Sequence, residues 1–135
     1  MFDKITDDLP CGDAMARLDY FFTEITDNEP NLRGLAIYYE GSYRETKYSR
    51  GGEKLAERTM APVFGEAQNR IGWLQKYVNF RRFPKNRPAF VSGGYRTNFT
   101  VELWLVHRNS QNPKPKPDIV DIRFRNGAFT EFHCN

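Results

Sequence analysis

Apolar residues recur at steps of three and four early in the chain: Met15, Leu18, Phe22 and Ile25 share one helical stripe starting at Gly12 or Asp13. Asp13 stands in the first turn, where the positive end of a helix dipole favours a carboxylate. Asn28-Glu29-Pro30 closes the pattern, because proline cannot continue a helix. The next segment, Leu32 to Tyr39, is almost uninterrupted apolar sequence and reads as a central strand covered on both faces, ended by Gly41. Residues 42–62 turn polar, basic and glycine-containing, which predicts a long crossover with a short helical piece at 53–60. A second helix is predicted over 64–80, with Ala67, Ile71, Leu74 and Val78 on its stripe and Trp73 and Tyr77 flanking it. Gly72 inside that helix costs about 1 kcal/mol relative to alanine and so points to close packing there.

The rest of the chain reads as strands. Residues 88–92 form a short one stopping at Gly93-Gly94. Residues 99–106 alternate, with Val101, Leu103 and Leu105 on one face and Thr100, Glu102 and Trp104 on the other. Asn112 to Pro117 is a Pro/Lys spacer, and Asn126-Gly127 marks a hairpin over 118–134. The expected fold class is α+β: two helices packed on one face of a mixed three- to five-stranded sheet, with a C-terminal β-hairpin. A right-handed crossover carries the strand near 35–39 to the one near 89–92 if they run parallel. The organisation reads as an irregular N-terminal arm at 1–11, an α/β core at 12–107, a linker at 108–117 and a hairpin at 118–135.

At 135 residues one core is expected. The 20 basic and 17 acidic residues are interleaved, so the net charge of +3 marks no concentrated polyanion site, and nucleic acid is not the expected partner. No apolar run reaches the roughly 18 residues of a membrane span. The two cysteines, Cys11 and Cys134, sit at opposite ends. They read as a disulfide clasping termini that often lie close together, against the alternative of two separate buried thiols. In the chain-entropy model such a clasp contributes about 4–5 kcal/mol, and it implies an oxidising compartment. Met1-Phe2-Asp3-Lys4 does not read as a leader. The cysteine placement therefore favours a periplasmic or extracellular protein whose signal peptide has been removed, over a cytosolic one.

No catalytic constellation is legible. His107 lies beside Arg108 and His133 beside Cys134; adjacent residues on a strand point to opposite faces, which separates the latter pair. There is no nucleophile elbow, phosphate loop or dinucleotide fingerprint, and no metal-ligand spacing. The chain reads as a non-enzyme without cofactor or metal. Tyr43, Arg44, Lys47, Tyr48 and Arg50 interleave rings with cations, a pattern suited to stacking on sugars or bases, with an ordinary solvated face as the alternative.

An amphipathic helix, the strand Leu35–Tyr39 ending in Glu40-Gly41, a helix carrying Glu66, Arg70 and Lys76, then Gly93-Gly94-Tyr95 and Thr100-Val101-Glu102-Leu103 follow one another over residues 12–107. This order resembles the outer-membrane-protein-A-like, peptidoglycan-associated domain. A further likeness, carried by Pro10-Cys11, Ala16-Arg17-Leu18-Asp19, Gly93-Gly94-Tyr95-Arg96 and Val101-Glu102-Leu103-Trp104, is to uncharacterised exported acidobacteria-type proteins. The resemblance implies a cell-envelope binding module. The family's peptidoglycan-binding members hold a diaminopimelate group between an aspartate and an arginine, and this chain has Glu40-Gly41-Ser42-Tyr43 and Asn98-Phe99-Thr100 at those places, so the usual clamp is absent. The expected binding surface is Glu40, Tyr43, Arg44, Lys47, Tyr48, Arg50, Tyr95 and Arg96. The expected partner is a cell-wall glycan or an envelope protein. A structural subunit of an extracellular or membrane-associated assembly is the alternative, and a binder of nucleic acid or another acidic surface ranks third.

Overall fold

In the computed structural model, residues 1–7, 9, 11–28, 30–81 and 88–130 are described, and they form two helices and a five-stranded sheet, an α+β fold. The elements are β1 (Asp3–Thr6), α1 (Cys11–Asp27), β2 (Leu32–Tyr48), β3 (Lys54–Met60), α2 (Glu66–Phe80), β4 (Ala89–Asn98) and β5 (Thr100–His107). Helix α1 buries Leu18, Phe22 and Ile25 as their spacing predicts and adds Phe21, while Ala14 rather than the half-buried Met15 faces the core at its start. Asn28 ends it: its side-chain amide donates to Glu24 O at 2.7 Å and its backbone N–H to Ile25 O at 3.3 Å, occupying carbonyls the helix itself leaves open.

Strand β2 organises the sheet. Its residues 35–38 pair in parallel with β4, Leu35 opposite Ala89, and antiparallel with β5, Leu35 opposite Trp104. The same residues have both partners, so β4 and β5 lie on opposite sides of β2. Side chains alternate across it. Ala36 and Tyr43 join Leu18, Phe21, Phe22, Ile71, Leu74, Val101 and Leu103 in a core shared by both helices. Leu35, Ile37, Tyr39 and Val106 form a second cluster with Trp104. Tyr77 ties the helices to each other, donating its hydroxyl to Asp19 Oδ1 at 2.8 Å, with Arg81 3.3 Å from the same oxygen. Full burial of each large apolar side chain contributes about 1.5–3 kcal/mol.

Several elements differ from their sequence reading. Residues 3–6 are a strand rather than an irregular arm: β1 pairs antiparallel with β5 and puts Ile5 into the core. Strand β2 does not stop at Gly41 but runs on to Tyr48, and 54–60, read as helical, pairs with it as β3. Strand β4 runs through Gly93-Gly94 with shifted register, because Gly93 lies against the Tyr39 ring and Gly94 adopts φ 104°. No strand pair forms around Asn126-Gly127 among the described residues of 118–130, although Gly127 does take φ 116°. Instead Ile119 bridges Tyr95 and Arg125 bridges Val63. The remainder of the expected hairpin, 131–135, lies outside the described residues, and so does the Cys134 half of the expected Cys11–Cys134 clasp.

The Pro/Lys segment is held against the domain rather than free of it. Lys116 N–H donates to the Tyr39 hydroxyl at 3.0 Å, Arg96 Nε donates to Lys116 O at 3.0 Å, and Arg33 donates to Ser110 O and Asn112 Oδ1. The segment therefore lies beside the second cluster. Gly72, expected to mark close packing, faces open space with no atom within 4 Å of an added Cβ. Gly72→Ala should therefore stabilise the protein by about 1 kcal/mol in urea denaturation, and a loss of stability would contradict that open position.

Candidate functional site

Gly65 precedes α2 with φ 86° and carries no side chain to cap the helix. Carboxylates from elsewhere take up the work. Glu40 of β2 reaches the helix start and accepts the Ala67 N–H on Oε2 at 2.8 Å. Its Oε1 accepts the Tyr43 hydroxyl at 2.7 Å and the Gly41 N–H at 3.1 Å. Shifts of register on both sides of Glu40 break the strict alternation of β2, which lets Glu40 and Tyr43 turn to the same face. Glu66, fully buried, accepts Val63 N–H on Oε1 and Thr130 N–H on Oε2 and has Arg125 3.9 Å away. Arg70 lies over the Tyr43 ring at 4.3 Å.

Above Glu40 opens a cleft of about 570 Å³, lined by Tyr38, Glu40, Ser92, Gly94 and Tyr95 from the sheet, Phe64, Gly65, Ala67 and Gln68 from the α2 entry, and Phe124. Its rim is aromatic. Phe124 meets Phe64 edge-on at 5.4 Å and Tyr95 at 6.4 Å, and Phe64 is 79% exposed. A carboxylate has about four lone-pair positions, and among the described residues Glu40 uses three on protein donors while also lining the cleft.

Burial raises the Glu40 pKa above its ordinary 4.5, and nearby Glu66 adds to the rise, against the opposing hydrogen bonds from Tyr43, Ala67 and Gly41. The native state then holds this proton to higher pH than the unfolded chain. Its stabilising contribution is complete below about pH 4.5 and is lost as pH rises through the raised value. Melting temperatures of wild type minus Glu40→Gln should accordingly fall with rising pH across that window; a difference independent of pH would refute the assignment.

The eight residues of the expected surface do not form one surface. Glu40 and Tyr95 line the cleft, and Tyr43 is buried beneath it. Arg44 is tied outside, its backbone N–H donating to Asp7 Oδ2 at 2.8 Å and its guanidinium 3.6 Å from Glu57. Lys47, Tyr48 and Arg50 are at the end of the β2–β3 hairpin, where Lys47, Arg50 and the 58%-exposed Tyr48 face solvent. Arg96, one residue from Tyr95, points the opposite way: it stacks on Tyr39 at 3.7 Å and pairs with Glu102 at 3.1 Å. Glu40 and Arg96 therefore cannot grip one ligand between them. Sequence reasoning missed Tyr38, Phe64 and Phe124. Strand alternation does separate Tyr38 from Tyr39, but Phe64 reads as the first residue of the helix predicted over 64–80, whereas α2 begins at Glu66, and nothing local marks Phe124.

No helix among the described residues is long and apolar enough to cross a membrane. No protein-family model, no curated protein and no solved structure matches this chain.

Proposed function

We propose that the chain is a non-enzymatic binding module of the cell envelope, periplasmic or extracellular, that holds a cell-wall glycan or an envelope protein in the cleft above Glu40. The aromatic-walled cleft with one carboxylate at its base carries the reading. Apolar ring faces joined to a few fixed polar groups are the usual make-up of a small-ligand site, and tyrosine and phenylalanine faces suit sugar rings. The resemblance to peptidoglycan-associated domains and the two terminal cysteines support the compartment. The ligand is held without the diaminopimelate clamp, since Arg96 is committed to Tyr39, Glu102 and Lys116.

Purified peptidoglycan should retain the wild-type protein, and Tyr95→Ala should reduce retention about tenfold while leaving the fold intact by circular dichroism, because aromatic contacts of this kind supply about 1–3 kcal/mol each. Equal retention of the two proteins, or none of either, counts against the reading. A second reading, a subunit of an extracellular assembly, is favoured by β3, which is exposed at six of its seven positions. Such a strand suits β-addition, although its Lys54, Glu57 and Arg58 blunt a flat edge. Oligomers growing with concentration in light scattering, without peptidoglycan retention, would select it.

A further inference from the structure

Of the ten described residues lining the cleft, four are aromatic, one is a carboxylate and none is a lysine or arginine. This is a distinctive choice in a chain with 20 basic residues. Phe64, Tyr95 and Phe124 are in mutual contact along the rim through Phe124, and Tyr38 and Glu40, two apart on β2, present to the same side. Ring faces are negative at the centre and attract cations, most strongly where water is excluded. Above its raised pKa the Glu40 carboxylate carries a negative charge at the base of the same cavity.

We infer that the cleft takes an organic ammonium ion, a primary or methylated amine on a small carbon skeleton, with the rings of Tyr38, Phe64, Tyr95 and Phe124 around the cation and Glu40 as its counter-ion. The inference rests on the cleft of the preceding proposal and narrows its ligand to one bearing a positive charge. Arg70, a buried cation, is stacked over the Tyr43 and Phe99 rings and is not among the described residues lining the cleft. An anionic ligand would meet Glu40 with no cation among the described lining residues to offset it. A neutral one would bring Glu40 no charged donor.

The test compares choline with 3,3-dimethylbutan-1-ol, which has the same shape and no charge, by titration followed in the amide spectrum of the protein. Choline should bind about tenfold or more tightly than the alcohol. It should shift the Ala67 and Gly41 amides, which donate to Glu40, together with that of Gln68. Glu40→Gln should remove the preference for choline, and Tyr95→Ala should weaken choline binding about tenfold. Should Glu40→Gln fail to fold, the wild-type amide shifts and Tyr95→Ala still decide. Equal affinity for the two probes, shifts that map away from α2's start, or no saturable binding of either would overturn the inference. Charge preference without retention on peptidoglycan would uphold the ammonium site and reject the cell-wall reading. Retention without charge preference would do the reverse.

Discussion

Gly41→Ala lowers the free energy of unfolding by about 3 kcal/mol or more, at or beyond the upper end of the usual cost of overpacking. Strands β4 and β5 flank β2 on opposite sides, yet Phe99 alone separates them in sequence. The chain must cross β2, and it does so over Gly41. A Cβ there would sit 2.5 Å from Arg96 O, 2.5 Å from Asn98 C and 2.7 Å from Phe99 N. These are backbone atoms and have no rotamer by which to move aside. The crossing is held from the other side by the Phe99 N–H donating to Ser42 O at 3.1 Å and by the Phe99 ring stacking on Tyr43 at 5.1 Å. Urea denaturation measures the loss, and a cost below about 1 kcal/mol would mean that the crossing is looser than described. Because Glu40 adjoins this point, the variant should also displace the cleft.

Glu66→Ala is expected to cost about 3–4 kcal/mol, and Glu66→Gln roughly half of that. The carboxylate is fully buried and takes two backbone donors, Val63 N–H at 3.0 Å and Thr130 N–H at 2.8 Å. Each buried donor left without an acceptor costs about 1–3 kcal/mol. Glutamine fills the same volume and keeps one oxygen, so one of the two bonds survives. Removal also takes away the counter-ion of Arg125, whose side chain otherwise joins Ala61 O at 2.7 Å and Thr130 Oγ1 at 3.2 Å. Faster hydrogen exchange at the Thr130 amide should accompany the loss. If alanine and glutamine prove equally mild, Glu66 does not hold the C-terminal segment to α2. The effect should reach the ligand site as well, since Phe124 forms one of its walls.

Both helices were legible in the spacing of their apolar residues. Leu18, Phe22, Ile25, Ile71, Leu74 and Val78 are buried where a 3.6-residue period puts them. The strand pattern was legible where it was covered on both faces, as at Leu35–Tyr39, and where it alternates, as at Thr100–Val106. It failed at the glycines. Gly41 and Gly93 read as stops because glycine most often serves turns, whereas here both admit a neighbour too close for any side chain. It failed too at 54–60, where residues exposed on both sides leave no period to read and pairing with β2 alone decides the conformation.

The candidate site divides in the same way. Glu40 and Tyr95 stood out by residue type, but type says nothing of direction, and the chain that groups Tyr95 with Arg96 in sequence sends them to opposite faces of the sheet. The helical stripes and the central strand were determined by the amino-acid sequence alone, because each depends on short-range periodicity. The crossing at Gly41, the cap that Glu40 lends to α2 and the closing of the cleft by Phe124 were decided by tertiary structure alone. Each joins residues between 27 and 86 positions apart, and at such separations only the packed chain determines which groups meet.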